Sequence, residues 1–256
     1  SGISVFFLSS IFFMFLEIFD SSVKTPTIFN KVSKIKIANV INQVKLKKTD
    51  ASEIMTEDFT GKKFKEKNIF KNNIRKLRYE LLNSNKKIFL FTSTKNKTGK
   101  STIIEALATS LTISKKKVLI VDMNFSNNSL TRKFNTDVYI QDIASKIDFS
   151  MAEQKIAAAT QIEGLDIIGC KEANTTPSEV LFNIDMNALF THLAKGYDFV
   201  LLEGAALNRF ADSKELAIQV DAIFTVFSAD SSMLQIDMES MRFIDDLKEK
   251  NHGVIL

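Results

Sequence analysis

The apolar positions of this chain follow two alternating rhythms. Short, nearly unbroken apolar runs occur at Ile88–Thr92, Val118–Asp122, Leu165–Ile168, Phe199–Glu203, Ile223–Phe227 and Gly253–Leu256, the length and density of strands buried on both faces. Longer stretches with helical spacing separate them, so the pattern predicts repeated βα units: an α/β fold, mainly parallel sheet with helices on both faces. Asn68–Leu82 sets Ile69, Ile74, Leu77, Leu81 and Leu82 near helical spacing and leaves Arg75 and Arg78 on a face of their own, predicting a helix ahead of the first core strand. Upstream the pattern changes twice. Ile3–Leu16 (ISVFFLSSIFFMFL) is apolar apart from Ser4, Ser9 and Ser10, but shorter than the roughly 20 residues that span a bilayer. The chain opens on Ser, so this segment reads as the end of a longer transmembrane helix, a buried core helix being the alternative. From Asp20 to Glu66 the sequence is polar and lysine-rich, broken by Pro26, and reads as a linker. The expected division is 1–19 end of a transmembrane helix, 20–66 basic juxtamembrane linker and 67–256 globular domain. The closing GVIL has the pattern of a buried strand without a turn after it, and reads as a chain that continues.

Charge sharpens that division. Between Lys24 and Lys100 there are 20 Lys and Arg against 6 Asp and Glu, which leaves the remainder of a chain of net charge +4 at −10. A basic stretch after an apolar one predicts contact with an anionic membrane surface, and by the positive-inside rule everything from residue 20 onward is cytoplasmic. No nucleic-acid partner is expected, because the stretch has no recognition motif and few interleaved aromatics. The single cysteine, Cys170, excludes a disulfide within the chain, and His192 and His252 form no Cys/His cluster for zinc. His192 is expected on a helix and His252 near a turn, both in structural or solvated roles.

The candidate chemistry lies where the first core strand meets the next helix. Residues 92–102 read TSTKNKTGKST, a strand delivering a phosphate-binding loop into a helix N-terminus. Gly99 allows close backbone approach, Lys100 neutralises phosphate charge, Ser101 can ligate Mg²⁺, and Thr98 and Thr102 flank the cradle. The full motif G-x-x-x-x-G-K-[ST] has glycine where this chain has Thr94. Two acidic strand ends add to the picture: Asp122 closes VLIVD and Glu203 closes FVLLE. Ligands of open α/β sheets gather at the carboxyl ends of strands, so both carboxylates are candidates to hold Mg²⁺ beside the phosphates. Either could instead cap the helix that follows it.

With these residues in place, the chain resembles the bacterial tyrosine kinases (BY-kinases) fused to, or partnered with, polysaccharide chain-length regulators of the Wzz type. The likeness runs through LEIFDSSVKTP (Leu16–Pro26), TSTKNKTGKST, VLIVDMN (Val118–Asn124), GLDIIG (Gly164–Gly169), TPSEVLFN (Thr176–Asn183), YDFVLLE (Tyr197–Glu203) and ADSKELAIQVDAIFTVF (Ala211–Phe227). The resemblance implies an inner-membrane protein of capsule or exopolysaccharide export. Its cytoplasmic P-loop domain would bind ATP or ADP with Mg²⁺, assemble into a homo-oligomeric ring through Arg75 and Arg78, and phosphorylate tyrosines on a neighbour's tail. It assigns catalytic roles to Lys100, Asp122 and Glu203, nucleotide contacts to Thr98, Gly99, Lys100, Ser101 and Thr102, and metal contacts to Ser101, Asp122 and Glu203.

Several positions depart from the family pattern. Its second carboxylate after the VLIVD strand falls on Asn124 and the following arginine on Ser126; its Walker B aspartate falls on Glu203, with Ala205 and Ala206 replacing prolines. A loop position usually glycine is Lys97, where a positive φ costs about 1–2 kcal/mol. The ring motif E-x-x-R-x-x-R is matched by Asn72, Arg75 and Arg78, so its glutamate is missing. Tyr79, Tyr139 and Tyr197 lie in predicted elements rather than in a tyrosine tail. Lys95, four residues before Gly99, stands where partition-type ATPases carry a lysine that reaches across a dimer, but a solvated lysine is the expectation in so basic a segment. Three readings follow: a tyrosine kinase-like enzyme, a non-catalytic pseudokinase assembly module, or a membrane-cycling partition-type ATPase.

Overall fold

The computed structural model describes residues 25–46, 50–144, 156–229 and 234–256. The expected membrane-helix end at 1–19 lies outside the described residues; among those that are described, no helix is long and apolar enough to cross a membrane.

Eight strands form one sheet in the order β1-β8-β7-β2-β6-β3-β5-β4: β1 Ile37–Asn39, β2 Ile88–Ser93, β3 Val118–Asp122, β4 Ala158–Ala159, β5 Leu165–Ile168, β6 Phe199–Ala206, β7 Ala222–Val226 and β8 Asn251–Ile255. Every pairing is parallel except β4 with β5. All six apolar runs are strands, and β2, β3, β6 and β7 are buried along their whole length. That double burial is why they read as continuous apolar runs rather than as alternation.

Helices cover both faces. On one, α3 (Lys65–Leu82) and α4 (Lys100–Ile113) press Phe70, Ile74, Leu77, Ile104, Leu107 and Leu111 against Phe89, Phe91 and Phe224 of the sheet. On the other, α8 (Met186–Lys195) and α9 (Asp212–Ala217) bring Leu189, Phe190, Leu193 and Leu216 onto Leu90, Leu119, Val121 and Leu202. Gly204 sits in mid-β6 because α9 approaches too closely for a side chain: an added Cβ would lie 2.3 Å from Ser213 Oγ.

The basic stretch at 20–66, expected as a linker, is for the most part built into this domain. Helix α1 (Pro26–Val32) starts on the cap Thr25, with Pro26 in the first turn, and buries Phe29 against Phe227. Strand β1 adds itself to β8 at the sheet edge. Helix α2 (Ala51–Thr56) buries Ala51, Ile54 and Met55, and its first turn is tied to α4, where buried Glu105 accepts the Ser52 N–H at 3.1 Å. Its lysines hide this because the apolar positions between them are sparse, yet Phe29, Ile35, Ala51, Ile54 and Met55 among them are buried. His192 lies on α8 as expected. His252 lies in β8, two residues beyond the 3-10 turn Lys248–Lys250, its ring edge-on to Phe224 at 4.9 Å.

The remaining short elements are α5 (Ser129–Phe134) and α6 (Ile140–Ala144) between β3 and β4, α7 (Pro177–Val180) after β5, and α10 (Gln235–Asp246) before β8.

Candidate nucleotide site

The loop between β2 and α4 is positioned from both ends. Its entry is held by neighbours of β6: Ser93 O accepts the Leu207 N–H at 2.8 Å and Thr94 O accepts the Asn208 N–H at 3.2 Å. Its exit is Gly99, with φ 87° just ahead of α4, and Lys97 inside the loop takes φ 60°. The left-handed turn that the sequence requires of Lys97 is therefore real, a strain accepted at a non-glycine position.

Lys95 is not solvated as expected. Its ammonium lies 3.0 Å from Asp237 Oδ2 on α10. Asp237, fully buried, also accepts the Leu234 N–H and Asn208 Nδ2 at 2.8 and 2.7 Å. Burial alone would raise this carboxyl; its hydrogen bonds from Leu234 and Asn208 and the Lys95 charge outweigh that and hold it below the ordinary range.

At the far end of the loop, Lys100, Ser101 and Glu203 converge. Glu203 Oε1 receives the Lys100 ammonium at 3.1 Å, the Ser101 hydroxyl at 2.9 Å and, more loosely, Asn124 Nδ2 at 3.4 Å. Its other oxygen, Oε2, is buried with no hydrogen-bond partner. Within the loop Thr98 Oγ1 is buried and equally without one. Buried acceptors left open in this way are costly, and they fit a site shaped for a ligand carrying positive charge and donors.

Asp122 faces Glu203 across the β3–β6 register, but both of its oxygens are employed. Oδ1 accepts the Asn124 N–H at 3.2 Å; Oδ2 accepts the Thr131 N–H and hydroxyl at 2.9 and 2.8 Å, capping the first turn of α5. Burial first and the Glu203 charge second push the Asp122 carboxyl up to about 7. Thus the two acidic strand ends are brought together, one as a helix cap and the other as the partner of Lys100. Among the described residues no group of three or more His, Cys, Asp or Glu could hold a metal ion, so a cation here would depend on Ser101, Glu203 and oxygens brought by its ligand.

Thr102 lines a cleft of about 500 Å³ with Lys97, Thr98 and Gly99 on one side and residues 40–44 on the other, floored by Phe227. This volume suits a small ligand. A larger cavity, about 720 Å³, opens at the opposite, amino-terminal ends of the strands near Lys117, Asp166 and Tyr197, away from every loop residue described above. The two arginines expected at a ring interface differ from one another: Arg75 is exposed and donates to Asn72 Oδ1 at 3.3 Å, whereas Arg78 is half-buried and donates to Ser110 O and Oγ at 3.0 and 3.2 Å. Sequence reasoning missed Ser129, 2.7 Å from Ser101, Thr131 and Asp237, none of which carries a local motif.

Comparison with known proteins defines the class. Residues 89–252 match the CobQ/CobB/MinD/ParA nucleotide-binding domain, and the chain belongs to that family. Within it the resemblance is to bacterial tyrosine kinases. The tyrosine-protein kinase ptk of Acinetobacter johnsonii is 28% identical over 105 residues, 41% of this chain and 14% of that protein, so the chain matches only a small part of that relative's length. The BceF tyrosine kinase domain superposes with a TM-score of 0.72 at 18% identity, covering 91% of this chain and 98% of that one. MinD of Pyrococcus horikoshii complexed with Mg-ADP shares the fold with a TM-score of 0.50 at 20% identity, over 66% and 69% of the two chains.

Proposed function

We propose that this chain is the nucleotide-binding domain of a bacterial tyrosine kinase-like protein that serves polysaccharide export at the inner membrane, and that it binds Mg-ATP or Mg-ADP while transferring phosphate slowly at best. The observation that carries the reading is the open, buried Glu203 Oε2 beside Lys100 and Ser101 at the mouth of a strand-loop-helix. Lys100 neutralises phosphate charge by trading part of its contact with Glu203. Ser101 and Glu203 hold the cation, which when bound supplies charge neutralisation to the phosphates. The cleft beside Thr102 receives the rest of the nucleotide.

Slow transfer is supported by the employment of Asp122, whose oxygens are taken by Asn124 and Thr131, so that this carboxylate does not stand ready to accept the proton of an attacking hydroxyl. Asn124 and Ser126 stand in place of two charged groups, a carboxylate and an arginine, that the kinase pattern carries. The partition-type reading is less favoured because the Lys95 ammonium is held by Asp237 of its own chain. In a ring, Arg75 would be the arginine that meets a neighbour, Arg78 being bound to Ser110. Calorimetry of the whole chain with Mg-ADP, joined to phosphotyrosine mass spectrometry after incubation with Mg-ATP, tests the reading. Binding with little or no phosphotyrosine is expected. No binding at millimolar nucleotide would end it, and robust autophosphorylation abolished by Asp122→Asn would make the chain an active kinase.

A further inference from the structure

Ser101 has a single hydroxyl proton, and it is given to Glu203 Oε1 at 2.9 Å. Ser129 Oγ lies 2.7 Å from Ser101 Oγ. With the Ser101 proton spent, the Ser129 hydroxyl must be the donor in that contact, and the lone pairs of Ser129 remain open. Ser129 is the first residue of α5, and it is placed there by Asp122 through the Thr131 N–H and hydroxyl. Three oxygens are therefore gathered: Ser129 Oγ, Ser101 Oγ and Glu203 Oε1, with the unpartnered Glu203 Oε2 beside them.

The spacing has chemical meaning. Mg²⁺ binds oxygens at 2.0–2.1 Å in a near-ideal octahedron, which sets neighbouring ligand oxygens about 2.9 Å apart. The Ser101–Ser129 and Ser101–Glu203 separations, 2.7 and 2.9 Å, are both of that size. The need is also plain, since Asp122 is committed elsewhere and no acidic cluster is present among the described residues. We propose that Ser129 is a further oxygen ligand of the divalent cation that accompanies the nucleotide, joining Ser101 and Glu203, with Asp122 as the positioning residue that fixes it. This rests on the nucleotide-binding reading above.

The experiment is calorimetry of ADP on the whole chain, with Mg²⁺ and with EDTA, for the wild type, Ser129→Ala and Ser129→Thr, with Mn²⁺ retention by the ADP-bound protein measured by electron paramagnetic resonance. Ser129→Ala should weaken Mg-ADP about tenfold, a typical cost at a metal site, and leave metal-free ADP within twofold of wild type. Ser129→Thr, which keeps the hydroxyl, should recover most of the loss, and Mn²⁺ retention should follow the same order. Equal weakening with and without metal would mark a merely structural role and overturn the proposal, as would a Ser129→Ala chain indistinguishable from wild type while wild type shows a clear gain from Mg²⁺. A wild-type chain that binds no ADP under either condition would instead remove the nucleotide-binding reading itself, and the proposal with it.

Discussion

The phosphate-binding loop is flanked by two lysines, each paired with a buried acid, and the two pairs are built to different ends. At the entry, Asp237 is satisfied on every side by Lys95, Asn208 and the Leu234 N–H. At the exit, Glu203 crowds Lys100, Ser101 and Asn124 onto one oxygen and leaves the other without a partner. A completed polar network holds structure together; an incomplete one in a buried place is where a ligand finishes the set. By this measure the entry pair anchors the loop and the exit pair is the candidate site.

The sharpest way to break that comparison is at Lys100. Lys100→Met should lower Mg-ADP affinity about 100-fold, the scale of a lost charge-assisted contact. It should also destabilise the fold by about 3 kcal/mol, because Glu203 is left as an uncompensated buried charge. Adding Glu203→Gln should restore stability in a denaturant titration without restoring binding. A single variant that still binds as the wild type does would mean that the loop grips its ligand elsewhere.

Next comes acid titration of Asp122, the carboxyl beside the exit pair. The Asp122 carboxyl is pushed up to about 7 in the fold, above its value in the unfolded chain, so between these values the folded state keeps a proton that the unfolded state has released. Its contribution to stability is therefore greatest in acid and is lost as pH rises from the ordinary carboxyl range toward 7. Thermal unfolding followed across that window should fall by several degrees more in the wild type than in Asp122→Asn; parallel curves would refute the assignment.

At the entry pair the effect should be smaller and of another kind. Asp237→Ala should cost about 2 kcal/mol of stability through the donors it strands, with Lys95, partly exposed, turning to water. Mg-ADP affinity should stay within about threefold, well short of the Lys100 effect. An affinity loss rivalling that of Lys100→Met would erase the distinction between anchor and site. Smallest of all, Arg78→Ala should cost about 1 kcal/mol by releasing the Ser110 carbonyl and hydroxyl, while Arg75→Ala on the exposed face should change stability by less than about 0.5 kcal/mol. Light scattering on a membrane-anchored form then tests whether Arg75 acts between subunits.

What could be read in the sequence depended on how local the signal was. The central strands were plain because burial on both faces writes four or five apolar residues in a row, and the Lys100–Ser101 cradle because its motif sits between a strand and a helix. Strands β1 and β4, of three and two residues, are too short for any period; they exist because a neighbouring strand offers them hydrogen bonds. Helix α2 did carry a legible start signal, Asp50 followed three residues later by Glu53, whose side chain accepts the Asp50 N–H, but the surrounding lysines drew the eye to charge instead. The pairing of Lys95 with Asp237 joins residues far apart in sequence, and Ser129 reaches Ser101 only because Asp122 holds the turn of α5. No periodicity records such meetings.

Strand β1 carries one more consequence. The wall of the cleft opposite the loop is formed by residues 40–44; its backbone joins the sheet through the three residues of β1 and the Ile41 amide on Leu256 O, while Ile41 and Val44 pack on the core and Asn42 Nδ2 donates to Glu66 O. An edge so briefly paired opens at a small fraction of the free energy that global unfolding requires. A ligand lodged between the wall and the loop makes each such opening more costly in proportion to its occupancy. The Ile41 amide is thus a natural reporter: its rate of exchange with deuterium should slow as the cleft fills, while amides of β2 and β6 in the centre of the sheet scarcely register the event.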